Sequence, residues 1–308
     1  MRVLITGASG MVGRNLVNHP GISSYEVLTP SHSELNLLNY AEVEAYLQHN
    51  NPDLIIHAAG KVGGIQANIR MPVLFLLDNL DMGRNLMWAA RQVGVRQVMN
   101  LGSSCMYPRQ APNPLHESYI LQGELEPTNE GYALAKIVTS RLCQYISQEN
   151  ALFAYKTLVP CNLYGRWDKF DPAHSHLLAA AIHKIHTAKK DGLREVEIWG
   201  DGTARREFLY AGDLADFLVE AISRFDELPS VLNVGCGIDH SINEYYLAVA
   251  DVIGYQGNFQ HDLTKAVGMK QKLVDVTSLH SLGWRAPTSL LEGIEKTYQW
   301  YLTTKGEA

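Results

Sequence analysis

The sequence predicts an α/β fold, a Rossmann-type doubly wound parallel sheet with a smaller C-terminal α+β portion. Three observations predict it. Through the first half, short apolar runs alternate with helix-length segments, the pattern of parallel strands joined by crossover helices. A glycine motif, Thr6-Gly7-Ala8-Ser9-Gly10-Met11-Val12-Gly13, lies between the first apolar run and the first helix. After about Gly165 the alternation weakens into isolated helices and short strands. The expected division is therefore a dinucleotide-binding domain over 1–165, with segments near 205–238 and 272–283 returning to it, and a mainly substrate-binding domain over 166–308.

Taken in order, Arg2–Ile5 is the first strand, and the helix after the glycine turn runs from about Met11 to Asn18. Glu26–Thr29 and Asp53–His57 are further strands. Between them Asn39 caps a helix that runs to His49 and is stopped by Asn50-Asn51-Pro52. A long helix covers Asp78–Val93, ends at Gly94, and is followed by a strand, Gln97–Leu101, that meets Gly102-Ser103-Ser104. Pro108–Glu130 carries four prolines and no clean period, so it reads as a long loop. Gly131–Ser147 is a helix and Phe153–Val159 a strand. A helix near Ser175–Lys189, short strands at Val196–Trp199 and Glu207–Tyr210, and a terminal helix from about Ser289 complete the chain.

Composition narrows the function. The 308 residues are 46% hydrophobic and 19% charged, ordinary for a soluble protein with a sizeable core. A formal charge of −6 argues against a nucleic-acid partner, because phosphates attract basic surfaces. No apolar run approaches the roughly 20 residues of a membrane span, and the start is too short for a signal peptide before it enters the glycine motif. Cys105, Cys143, Cys161 and Cys236 have no CxxC spacing and no disulfide-dense pattern. A reducing, cytoplasmic enzyme is expected.

The glycine motif brings backbone N–H groups to a pyrophosphate at a helix N-terminus. The cofactor is read at the end of the second strand, where a carboxylate binds the ribose of NAD and a basic residue accommodates the phosphate of NADP. Thr29-Pro30-Ser31-His32-Ser33 offers neither carboxylate nor Arg, while Ser9, Ser31, His32 and Ser33 can donate hydrogen bonds, so NADP is favoured over NAD. Tyr132 and Lys136 stand at i and i+4 on one helix face, where an ammonium helps a phenol give its proton to a ketone oxygen. Ser103 follows a strand whose end opens on the same ligand crevice.

This order of glycine loop, Ser103, then Tyr132 and Lys136 resembles the extended short-chain dehydrogenase/reductase family over nearly the whole chain. Within it the sequence is more similar to the GDP-L-fucose synthases, the epimerase-reductases of GDP-4-keto-6-deoxy-mannose, than to the 4-epimerases or dehydratases. The matching stretches are Lys61-Val-Gly-Gly-Ile65, Leu101-Gly-Ser-Ser-Cys-Met-Tyr-Pro108 and Gly123-Glu-Leu-Glu-Pro-Thr-Asn-Glu-Gly-Tyr132. They continue with Asn162-Leu-Tyr-Gly165, Ser175-His176, Arg206-Glu-Phe-Leu209 and Lys272-Leu-Val-Asp275.

The resemblance implies inversion at C3 and C5, then reduction at C4 by NADPH. It makes Ser103, Cys105, Tyr132, Lys136 and His176 the catalytic set, with Cys105 as base and His176 as acid. A C4 ketone acidifies the protons on its flanking carbons, so inversion needs such a pair. Cofactor contacts would come from Gly7, Ser9, Gly10, Met11, Val12, Gly13, His32, Asn36, Leu37, Ala58 and Ala59, and from Lys136, Pro160, Asn162, Leu163 and His176. Ser104, Asn162, Lys184, Trp199, Arg206 and Lys272 would hold the GDP-sugar, Arg206 and Lys272 on its phosphates. Ser9 and His32 stand where the family has basic contacts to the NADP phosphate, Lys184 stands where it can carry an Arg, and Thr264–Gly268 lacks the family's Pro-Asp.

No metal is expected. His174, His176, His183 and His186 lack HExxH spacing and interleaved acidic ligands. Two other readings stay open: a related C4 reductase, for instance of a GDP-6-deoxy-heptose, with partial or no epimerisation, and a non-catalytic nucleotide-binding regulator. A homodimer through the helices at 78–93 and 131–147 is also expected, although Leu80, Leu86, Met87, Ile137 and Val138 could equally face the sheet.

Overall fold

Six parallel strands carry the cleft in the computed structural model, which describes residues 1–171, 175–265 and 268–307. In chain order the first half comprises β1 (Arg2–Thr6), α1 (Met11–Val17), β2 (Glu26–Leu28), α2 (Tyr40–Asn50), β3 (Leu54–His57), α3 (Ile65–Arg70), α4 (Pro72–Val93), β4 (Gln97–Leu101), α5 (Glu130–Glu149) and β5 (Ala154–Pro160). There follow β6 (Asn162–Tyr164), α6 (Leu177–Lys190), β7 (Glu195–Trp199), β8 (Arg205–Tyr210), α7 (Ala211–Ser223), β9 (Val231–Val234), β10 (Asp239–Ser241), α8 (Ile242–Ile253), β11 (Asn258–Asp262), β12 (Gln271–Lys272), α9 (Thr277–Ser281) and α10 (Leu290–Lys305).

The main sheet has the order β2-β1-β3-β4-β5-β9, parallel throughout. The chain winds outward from β1 to β2, then returns past β1 to β3, so its direction reverses between β1 and β3. Ligand crevices of doubly wound sheets open at that point, beyond the C-terminal strand ends. The buried runs Val3-Leu4-Ile5 and Leu54-Ile55-Ile56 fill both faces, as a sheet covered by helices requires. β6, β8, β10 and β12 make a second, mixed sheet, and β7 pairs with β11.

Local chemistry sets several boundaries. Asn39 accepts the Ala41 N–H at 3.1 Å and caps α2, as expected from the sequence. α4 begins at Pro72, six residues before the expected Asp78, because proline is preorganised for the first helical position. The stretch 108–130 is an organised loop: Leu115 bridges to Val274, and short 3-10 turns form at Glu117–Tyr119 and Pro127–Asn129.

α4 and α5 pack closely where a Cβ on Gly83 would lie 2.2 Å from Thr139 Oγ1. Leu86, Met87 and Ile137 turn inward to the core, whereas Val138 is 48% exposed. The outward apolar face of the pair consists instead of Val73, Leu77, Trp88, Leu134, Val138 and Tyr145. Among the described residues no helix is long and apolar enough to cross a membrane, and no cluster of three or more potential metal ligands occurs; His174 lies outside the described residues.

Candidate active site

A cleft of about 800 Å³ opens above the C-terminal ends of β1, β3, β4 and β5. The residues expected to act in catalysis or to hold cofactor or substrate line it, except Ser31 and Ser33, which stay outside, with Ser31 bonded to Ser33 and Glu34. One wall is the glycine turn. Gly7 has φ +73°, and a Cβ there would sit 2.6 Å from the Ala59 nitrogen. A Cβ on Gly13 would sit 2.2 Å from the Gly7 carbonyl oxygen, so the turn can press against α1 only with glycine at both places. The first-turn N–H groups of Met11, Val12 and Gly13 have no intrahelical acceptor and no side-chain cap.

Behind this wall, Thr6 Oγ1 lies 2.8 Å from His57 Nδ1 and accepts the Ala59 N–H at 3.3 Å, which ties the end of β1 to the end of β3. Burial, reinforced by the charge of Lys136, lowers the His57 pKa to about 3, so this histidine is a neutral strut. Next to the glycine turn, Arg14 Nε donates to the Ser9 carbonyl at 3.0 Å. A guanidinium therefore stands beside Ser9, where this chain lacks the basic side chain that the family pattern carries. Glu34 folds back onto Ser31, accepting from its N–H and its hydroxyl at 2.7 Å each.

Ser103, at the end of β4, is within hydrogen-bonding reach of the Tyr132 phenol. Burial foremost, and then the nearby Cys105, push that phenol above its ordinary range, while Ser103 pulls the other way. Tyr132 is thus held as a neutral phenol. Lys136 is buried and donates to the Leu101 carbonyl at 2.9 Å, and its ammonium lies 5.9 Å from the Tyr132 ring centroid. Burial lowers its pKa to about 8.

Cys105 sits one turn beyond Ser103, with its N–H on Ser103 Oγ at 3.3 Å. Its sulfur accepts from Asn129 Nδ2 at 3.1 Å and from Lys272 Nζ at 3.6 Å. His176 is the N-cap residue of α6 and lines the cleft. Burial, then the charges of Lys169 and Lys272, lower its pKa, which makes its protonated form a stronger acid than free imidazolium. The ammonium of Lys272 therefore acts on both members of the expected base–acid pair.

Farther out, Trp199 is flanked by Lys184 and Lys265, whose nitrogens lie 5.4 and 5.7 Å from its ring centroid. Lys184 also donates to the Glu197 carbonyl at 3.1 Å. Arg206 donates to the Arg205 carbonyl at 2.7 Å, and burial lowers its pKa. Asn162 Nδ2 donates to the Glu207 carbonyl at 2.8 Å, linking β6 to β8 under the cleft floor.

Several cleft residues escaped residue-by-residue reading. Asn129 and Glu126 lie within the Glu-Pro-Thr-Asn-Glu stretch that the sequence marked only as a segment. Asp78 pairs with Lys61 at 2.7 Å, and Asn79 accepts the Lys61 N–H at 2.9 Å, which pins the 61–65 loop to α4. Asn68, on α3, had no signal in the sequence at all.

Residues 3–235 match the NAD dependent epimerase/dehydratase family. The chain is 53% identical over 305 residues to GDP-L-colitose synthase of Yersinia pseudotuberculosis, covering 99% of each chain. It is 50% identical over 302 residues to GDP-L-fucose synthase of Azorhizobium caulinodans, covering 98% of this chain and 96% of that one. Its fold is similar to the solved structure of a GDP-mannoheptose C4 reductase from Campylobacter jejuni with NADP bound, with a TM-score of 0.87, 30% identity, and coverage of 97% of this chain and 98% of that one. The glycine turn, the Ser103–Tyr132–Lys136 set and these full-length likenesses lead to one statement: the chain belongs to the NAD dependent epimerase/dehydratase family.

Proposed function

We propose that this chain is an NADPH-dependent epimerase-reductase that converts GDP-4-keto-6-deoxy-D-mannose to GDP-L-fucose. One observation carries the reading: a ketone-holding set, Ser103, Tyr132 and Lys136, shares its cleft with a separate proton-transfer pair, Cys105 and His176. Reduction alone requires only the first. Inversion of a carbon beside a ketone requires a group that removes a proton and another that returns one.

Residues 1–165, with 205–238 and 272–283, form the cofactor-binding part of this proposal, and 166–308 mainly the sugar-nucleotide part. NADPH fits the cleft because unpaired N–H groups at Met11, Val12 and Gly13 suit a pyrophosphate, and Ser9, His32 and the guanidinium of Arg14 suit a further phosphate. When bound, it supplies the hydride for C4. Ser103 and Tyr132 hold the ketone oxygen, and Tyr132 gives it a proton as it becomes an alkoxide. That transfer runs downhill even from a phenol of raised pKa, because an alcohol is a far weaker acid.

Lys136, fixed on the Leu101 carbonyl, keeps a positive charge beside the phenol. Cys105 takes the proton from C3 or C5, the electron pair moves onto the ketone oxygen held by Ser103 and Tyr132, and His176 returns a proton to the carbon. Arg206 and Lys184 hold the diphosphate, and Trp199 offers its ring to the nucleotide. Lys272 joins them from its place beside the sulfur.

The 53% identity to a GDP-L-colitose synthase favours a second reading, a substrate that lacks the C3 hydroxyl and is inverted at C5 alone. The deciding experiment incubates the protein with GDP-4-keto-6-deoxy-mannose and NADPH or NADH in deuterated water, with NMR of the sugar. The proposal expects NADPH consumption and a fucose-configured product with deuterium at C3 and C5. Reduction with no deuterium would make the protein a plain ketoreductase. Turnover confined to the 3-deoxy ketone would establish the second reading.

A cytoplasmic homodimer belongs to the same proposal. The base must remain a reduced thiol, and the outward face of α4 and α5 carries Val73, Leu77, Trp88, Leu134, Val138 and Tyr145. A monomer mass by light scattering at micromolar concentration would contradict the dimer.

A further inference from the structure

Asn129 occupies the N-cap of α5, where an asparagine side chain ordinarily accepts a first-turn N–H and steadies the helix. Here it makes no capping bond. Its amide nitrogen turns away and donates to Cys105 Sγ at 3.1 Å. Its amide oxygen is buried with no hydrogen-bond partner among the described residues. One of these choices costs stability: a carbonyl is taken out of water unpaired, while the chain entering α5 is capped one turn earlier, where Glu126 accepts the Thr128 N–H. What the side chain gains is the sulfur contact, weak while the sulfur is a thiol and stronger once it carries negative charge.

Folding therefore does not account for this conformation, and buried polar groups that break local rules concentrate at functional sites. The surroundings of the sulfur agree. Lys272 Nζ lies 3.6 Å from the same Sγ, and the Cys105 N–H is held on Ser103 Oγ at 3.3 Å. Backbone, amide and ammonium together leave Sγ little freedom to turn from the cleft. The α3 helix packs on the Pro127–Asn129 turn.

We propose that Asn129 is a positioning residue for proton exchange at the sugar: together with Lys272 it holds Cys105 Sγ in place to take the proton next to the ketone. The inference rests on the function proposed above. In the step it serves, a C–H bond breaks and an S–H bond forms. The electron pair goes to the ketone oxygen, and the proton from His176 closes the exchange at carbon. Asn129 touches no reacting carbon and acts only through the sulfur.

The test compares wild type with Asn129→Ala and Asn129→Asp, the latter keeping the shape and losing the donor. Three quantities are read: thermal unfolding, the rate of Cys105 alkylation by iodoacetamide followed by mass spectrometry, and deuterium wash-in at C3 and C5 of GDP-4-keto-6-deoxy-mannose without NADPH. The expected result for both variants is alkylation and maximal wash-in reduced about tenfold, the size of losing a charge-assisted hydrogen bond. KM for the sugar nucleotide should stay within about twofold of wild type, and Asn129→Ala should unfold no earlier, since an unpaired carbonyl is gone.

Wild-type alkylation and wash-in in Asn129→Asp would overturn the proposal. So would early unfolding of Asn129→Ala with all activities falling in parallel, the mark of a structural role. If wild type itself shows no wash-in, the proposed reaction fails. The alkylation ratio then still decides whether Asn129 holds the sulfur.

Discussion

The wall of the cleft at the ends of β1 and β3 is made of backbone, whereas the wall that carries Cys105, Asn129, His176 and Lys272 is made of side chains. On the first, shape dictates residue type: Gly7 and Gly13 leave no room for a Cβ, and Thr6, His57 and Ala59 satisfy one another's polar groups. On the second, polar atoms stay unpaired: Asn68 Oδ1, Asn129 Oδ1 and Ser175 Oγ are buried there without hydrogen-bond partners among the described residues. A wall whose side chains are satisfied holds its free backbone N–H groups, those of Met11, Val12 and Gly13, in one place for a cofactor. An unsatisfied one trades stability for groups ready to meet a reacting sugar.

Substitutions should therefore fail differently on the two walls. The largest effect is expected at Gly13→Ala, whose Cβ would fall 2.2 Å from the Gly7 carbonyl oxygen. Backbone must move to admit it, at a cost of roughly 1–3 kcal/mol or more. NADPH binding, followed by its fluorescence, should then disappear. Gly192→Ala is the control: the residue lies outside the cleft and its Cβ meets no atom within 4 Å, so NADPH binding should be kept. Equal binding by both variants would break the comparison.

Tyr132→Phe should act on chemistry alone. C4 reduction is expected to fall ~10²–10⁴-fold, the usual loss for a positioned acid, with NADPH affinity and thermal unfolding nearly unchanged. Retained reduction would remove Tyr132 from the proton-donor role.

A smaller effect comes from Lys136. Its pKa in the fold, about 8, lies below its ordinary value because burial disfavours the ammonium. The charge is present below that pH and is lost above it, so C4 reduction should decline as pH rises through about 8. Stability should move the other way. Above pH 8 the unfolded chain binds more protons at this site than the fold does, so its contribution to stability rises with pH up to the ordinary lysine range. A reduction rate flat to well above pH 9 would contradict this role for the ammonium.

The same contrast explains what the sequence made legible. The backbone wall could be read because glycine spacing is dictated by close approach, and the strand β1 and the cap at Asn39 follow local rules. The order of Ser103, Tyr132 and Lys136 was equally readable, since strand ends of such a sheet converge on one crevice. The organisation of 108–130 was not readable, because it depends on contacts such as Leu115 with Val274, 159 positions away in sequence. Inward packing of Leu86, Met87 and Ile137 was likewise hidden, since both faces of α4 and α5 are apolar. Asn129 escaped for a third reason: an Asn before a helix reads as a cap, and only the structure reveals that it serves a sulfur instead.

In the function proposed here one cleft houses two separable chemistries, proton exchange at Cys105 and reduction at Tyr132. Cys105→Ser, given NADPH and GDP-4-keto-6-deoxy-mannose in deuterated water, tests it most directly. NADPH should still be oxidised, and the reduced sugar should carry no deuterium at C3 or C5 and keep its original configuration there. A fucose-configured product with wild-type deuterium content would contradict the account, because the proton would then be leaving to some group other than Cys105.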